Sequence, residues 1–121
     1  MLTAHPNYGA AAKQILARVE NGEESVTSSL VIAEVCAWLQ YRAMKDKTKI
    51  FFKAMESYAS LGKIETTYAY LLAAQELEAK HPHLEFFDRV YLAQMTRTGI
   101  TEIYSNDRGF DRVKGIKRIF N

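Results

Sequence analysis

The chain has little of what most specialised scaffolds require. It contains one cysteine, Cys36, so no intrachain disulfide can form and a disulfide framework is excluded. It contains two prolines and six glycines in 121 residues, too few for a collagen-like, linker-rich or disordered chain. The longest unbroken apolar run is Tyr68 to Ala74, seven residues, whereas a membrane-spanning helix needs about 20. The N-terminus lacks the charged start and apolar stretch of a secretion signal. No strong charge of either sign dominates, the formal net charge being +2. A soluble, cytoplasmic protein without membrane attachment is therefore expected. With 48% hydrophobic and 25% charged residues, the proportions are those of a globular fold. The length matches one domain, residues 1–121.

Charge is unevenly placed. Arg108, Arg112, Lys114, Lys117 and Arg118 face one acid, Asp111, over the last fourteen residues, so the remainder is slightly acidic. A basic end beside acids suits a phosphate-bearing partner, although a solvated surface has the same composition.

Helical periodicity follows Pro6, with Ala11, Ala12, Ile15, Leu16 and Val19, and stops at Asn21-Gly22. Glu24 to Thr27 reads as a strand, and Ser28 or Ser29 can cap a helix to about Lys45. Ile50, Phe51, Ala54, Met55, Tyr58 and Leu61 mark another helix, ended by Gly62. Ile64 to Thr66 is a weaker strand. Helices are expected from Thr67 to about Ala79 and from Leu84 to Thr98, the latter ended by Gly99. Thr101 to Ser105 and Ile116 to Phe120 read as strands, separated by a turn at Ser105-Asn106-Asp107. Helices alternating with short strands predict an α/β fold with a parallel sheet.

Four acids stand out. Glu34 is the one polar residue between Leu30 and Leu39, and a carboxylate on so apolar a helix needs a partner, a proton or a metal. Asp88 opens a helix whose i+3, i+4 and i+7 positions are Tyr91, Leu92 and Met95; an early-turn acid favoured by the helix dipole is the alternative. Asp107 lies just beyond a strand, at the edge where open α/β sheets bind ligands, or is a turn aspartate. Asp111 follows four residues later. Convergence of such acids would suit Mg²⁺ or Mn²⁺, which prefer oxygen ligands, rather than zinc. Carboxylate-held ions of this kind serve phosphodiester hydrolysis. His5, His81 and His83 flank the prolines. No G-x-S-x-G and no phosphate-cradling glycine loop is present. Cys36 sits among apolar residues and reads as core.

The segments His5-Pro6-Asn7-Tyr8, Val26 to Val35, Asp88 to Ala93, Ile103 to Asp111 and Val113 to Ile116 resemble the PIN domain, particularly the VapC-type ribonucleases of toxin–antitoxin pairs. The resemblance implies a three-layer α/β/α fold and a metal-dependent endoribonuclease. By position it implies Glu34, Asp88 and Asp107 as catalytic metal ligands for Mg²⁺ or Mn²⁺, with Asp111 as an accessory ligand. RNA and a cognate antitoxin become the expected partners. Arg108, Arg112 and Lys114 are our candidates for RNA phosphates. A homodimer is the expected assembly, because an open sheet edge invites pairing. The family's first strand carries a further aspartate, whereas no acid precedes Glu20 here. The chain is accordingly expected to start after that motif, lacking the central strand and one ligand. A non-catalytic PIN-fold remnant acting as a protein-interaction module is the alternative.

Overall fold

The structure is a computed structural model that describes residues 2–3, 20–105 and 107–119. Five strands form one sheet: β1 (Leu2–Thr3), β2 (Ser25–Ser28), β3 (Leu61–Ile64), β4 (Glu102–Tyr104) and β5 (Lys117–Ile119). Among the described residues four α-helices accompany them: α1 (Ser29–Tyr41), α2 (Lys47–Ser57), α3 (Tyr68–Glu76) and α4 (Phe86–Thr98). A 3₁₀ helix spans Arg108–Arg112. The strand order is β3-β2-β1-β4-β5, and every pair is parallel. The α/β class and the parallel sheet are as expected. The helix after Pro6, and with it His5, lies outside the described residues.

One expectation about the sheet is overturned. Its centre is occupied: Leu2 pairs with Val26 and Ile103, and Thr3 with Thr27 and Tyr104. Two residues suffice because parallel strands on both sides satisfy their backbone groups. Neither residue is acidic.

Helix α1 begins where Ser28, extended at φ −101°, accepts a hydrogen bond from the Leu30 amide. Val31, Val35 and Leu39 recur every four residues and are buried. The helix ends at Tyr41 rather than near Lys45, because Ala43 adopts φ 57° and the Met44 amide turns back to Leu39 O at 2.7 Å. The second helix starts three residues before its apolar stripe and ends at Ser57, where Tyr58 becomes extended.

Gly62 is a strand residue and not the end of that helix. A Cβ there would lie 2.9 Å from Val26 Cγ1 on the paired strand. Close approach of β2 and β3, rather than a helix stop, is thus what requires glycine. Gly62→Ala should cost about 1–3 kcal/mol through overpacking, read as a lower midpoint in urea with an unchanged slope.

Helix α4 is the centre of the packing. Asp88 through Met95 are all buried, eight residues in succession. It ends as expected at Gly99, left-handed at φ 74°. Tyr91, Leu92 and Met95 join Val31, Val35, Leu39, Leu84, Ile103, Phe110 and Val113 in one core. Arg89, 8% exposed, donates to Ala74 O and Leu84 O at 3.0 and 2.7 Å, which binds α3 to the loop entering α4.

Candidate active site

The strand order places a reversal beside β1: the chain steps outward to β2 and β3 on one side, and later to β4 and β5 on the other. Carboxyl ends of strands at such a reversal form a crevice suited to ligands. Ser28 leaves β2 at this edge and enters α1, and Ser105 and Asp107 follow β4 there. Helices α1 and α4 carry the other two acids.

Glu34 is half-buried and accepts a hydrogen bond from the Tyr91 hydroxyl. Tyr91 stands three residues after Asp88, on the same side of α4. Glu34 is thereby fastened to the helix whose first turn bears Asp88, itself 4% exposed. Asp107 caps the 3₁₀ helix, its Oδ1 accepting from the Gly109 amide at 2.8 Å, while Ser105 Oγ accepts from the Asp107 amide at 3.0 Å. His83 bonds through Nε2 to Gly109 O at 3.0 Å. A carbonyl only accepts, so Nε2 carries the proton. This bond ties the Asp107 turn to the loop that enters α4 and Asp88. Gly109 permits the approach, since a Cβ would stand 2.9 Å from Leu84 Cδ2 and 3.0 Å from Asp107 Oδ1.

The remaining candidates lie on or beside the 3₁₀ helix. Asp111 is exposed, and both of its oxygens are engaged by Arg118, at 2.9 Å from Nε and 3.2 Å from Nη2. Arg118 Nη1 also donates to Ser105 O at 3.2 Å. The pair therefore braces β5 against the exit of β4. The Arg118 hydrogen bond holds the Asp111 carboxyl below its ordinary 3.8. A depressed carboxyl contributes stability above its unfolded value and loses it as pH falls through the folded one. Asp111→Asn should therefore flatten the decline in melting temperature below about pH 4. Thermal melts at pH 7 and pH 3 check this, and the effect should shrink in salt. Arg108, Arg112 and Lys114 are exposed around the same 3₁₀ helix. Cys36 is partly exposed. His81 stacks edge-on to His83 at 5.8 Å, and burial first, then His83, lowers its pKa from 6.5.

Glu34, Asp88 and Asp107 offer oxygen alone, the donor set for a hard divalent cation. They fit one in kind, and among the described residues no three acids, histidines or cysteines form a group that could hold an ion. Tyr91, His83 and Ser105 were missed by sequence reasoning. Tyr91 reads there as core, and only the turn at Ser105 carried any signal. An open hollow of about 370 Å³ between Glu20, Gly22 and Ser57 to Ser60 lies at the opposite edge of the sheet.

The sequence matches the PIN domain model over residues 1–116. The chain belongs to the PIN domain family. Among its relatives are ribonuclease VapC13 of Mycobacterium tuberculosis and a VapC ribonuclease of Mycobacterium bovis. Each is 28% identical over 124 residues, covering 96% of this chain and 88% of the relative. The fold is similar to that of Mycobacterium tuberculosis VapC20, a sarcin-ricin loop cleaving toxin, with TM-score 0.72 and 19% identity over the whole of both chains. Also similar are VapBC2 of Rickettsia felis, bound to a promoter DNA fragment (TM-score 0.71, 13% identity, all of both chains), and a toxin–antitoxin complex from Klebsiella pneumoniae. The last has TM-score 0.60 and 13% identity, over 95% of this chain and 93% of that one.

Proposed function

We propose that this chain is a metal-dependent endoribonuclease of the VapC toxin type, cutting RNA phosphodiester bonds in the cytoplasm. The observation that carries the reading is the pair of hydrogen bonds that fasten Glu34 to the helix of Asp88 and the Asp107 turn to the loop before it. Glu34, Asp88 and Asp107 would hold Mg²⁺ or Mn²⁺. Such an ion activates water and offsets charge developing on the phosphate. The protein's own part is to orient the substrate. Arg108, Arg112 and Lys114 offer exposed cations beside Asp107 for the flanking phosphates. We assign Asp111 to the brace with Arg118 rather than to the ion. A cognate antitoxin is the proposed protein partner, supported by the toxin–antitoxin complexes among the similar folds, and a homodimer the proposed assembly.

A second reading is a non-catalytic interaction module, favoured by the lack of a three-ligand cluster among the described residues. Fewer preplaced carboxylates also mean weak ion binding in the first reading. Incubation of a mixed-sequence RNA with the protein decides between them. Cleavage should require Mg²⁺ or Mn²⁺, cease in EDTA and return on adding excess ion. Equal cleavage in EDTA would remove the metal from the reading, and no cleavage with either ion would leave the interaction module.

A further inference from the structure

A second polar contact between the two acid-bearing helices lies at the same sheet edge. Thr66 follows β3 just past Ile64, opposite the exit of β2 at Ser28. Its Oγ1 lies 2.8 Å from Ser28 Oγ, 3.3 Å from the Leu30 amide and 3.0 Å from Gln94 Nε2. The Thr66 amide donates to Ser29 Oγ at 2.7 Å. Ser28 and Gln94 are fully buried. Gln94 Nε2 donates to Thr66 Oγ1, and the Leu30 amide is shared between Thr66 Oγ1 and Ser28 Oγ, the N-cap of α1. The two hydroxyls of Thr66 and Ser28 bond each other. One hydroxyl thus joins three elements.

The placement along each helix gives this contact its meaning. Asp88, Tyr91 and Gln94 recur every three residues on one side of α4. Tyr91 reaches Glu34 in the middle of α1, and Gln94 reaches the start of α1 through Thr66. A helix pair fastened at one point can still rotate or slide about it. Two fastenings a turn apart remove both motions. Gln94 Oε1 is buried without a partner among the described residues. A leucine would fill that space without the orphaned oxygen, so stability alone does not account for an amide here.

We infer that Thr66 and Gln94 are positioning residues that set Glu34 relative to Asp88, an inference that rests on the ribonuclease reading for its catalytic consequence. Neither residue contacts the ion or the RNA in this scheme. They act through the register of α1 on α4, and a small misplacement of reacting groups is costly in rate.

The test compares the full chain with Thr66→Val, Thr66→Ser, Gln94→Leu and Met55→Ala. Met55 is buried on α2 and serves as a variant of lowered stability with the contact intact. The first readout needs no ion: nuclear Overhauser contacts between the Tyr91 ring and the Glu34 side chain. The second is Mn²⁺ affinity from the electron-spin signal of free Mn²⁺, and the third is RNA cleavage. Thr66→Val and Gln94→Leu should lose the Tyr91–Glu34 contacts, bind Mn²⁺ about tenfold more weakly and lower kcat with KM unchanged. Thr66→Ser should resemble the parent in all three, and Met55→Ala should lose only melting temperature. Retained Tyr91–Glu34 contacts in both Thr66→Val and Gln94→Leu would overturn the inference, whatever their stability. If the parent neither binds Mn²⁺ nor cleaves RNA, the ribonuclease reading falls, and the ion-free readout still decides whether the two residues set the helix register.

Discussion

Asp88→Asn should reduce RNA cleavage by about a hundredfold or more while leaving the protein folded. The carboxylate is 4% exposed in the first turn of the central helix. Asparagine keeps its shape and one oxygen but not its charge, and an ion held by three carboxylates loses a third of their negative charge. Removing the acid from the first turn forfeits about 0.3–1 kcal/mol of helix-dipole stabilisation. Relief of burying a charge acts in the other direction. The melting temperature should therefore move little. Single-turnover cleavage with saturating Mn²⁺, beside a thermal melt, separates the two effects. Cleavage by the variant at the parent's rate would dismiss Asp88 from the site.

Phe110→Ala should have the largest effect on stability. Phe110 is fully buried, packs within the central cluster and belongs to the 3₁₀ helix that Asp107 caps. Truncating a buried phenylalanine costs about 3–5 kcal/mol, the transfer term plus the cavity left behind. Total stability is about 5–15 kcal/mol for a domain. For a chain of this size the loss corresponds to a fall of roughly 10–20 °C in melting temperature. Calorimetry measures it. Phe87→Ala provides the comparison, because that ring is 45% exposed and its loss should be small. Since the anchor lies three residues after Asp107, Phe110→Ala should also weaken ion binding at temperatures where the chain is still folded.

The candidate site was partly legible because some of its signals are local. Glu34 stood out as one charge in ten residues of apolar helix, and the structure gives it a buried tyrosine as partner. Asp88 was recognisable as an acid heading an apolar helix. Asp107 was visible as an acid after a strand and a turn. The left-handed Gly99 ended α4 where the pattern placed it, since a helix stop depends on one residue's backbone freedom.

Other features depend on residues distant in the chain. Gly62 read as a helix stop by itself, and only the approach of Val26 from a paired strand shows why no side chain fits. Asp111 looked like a ligand until Arg118, on a different strand, engaged both of its oxygens. Composition, length and periodicity by themselves determined the α/β class, the order of helices and strands, and four acids worth following. Those properties come from side-chain spacing along one element, where each residue meets neighbours three, four or two positions away. Only the tertiary structure decided the occupancy of the sheet's centre by Leu2–Thr3, the double fastening of α1 to α4, and the pairing of Asp111 with Arg118. These rest on hydrogen bonds and packing between elements brought together by burial of the core, and no short window of sequence contains both partners.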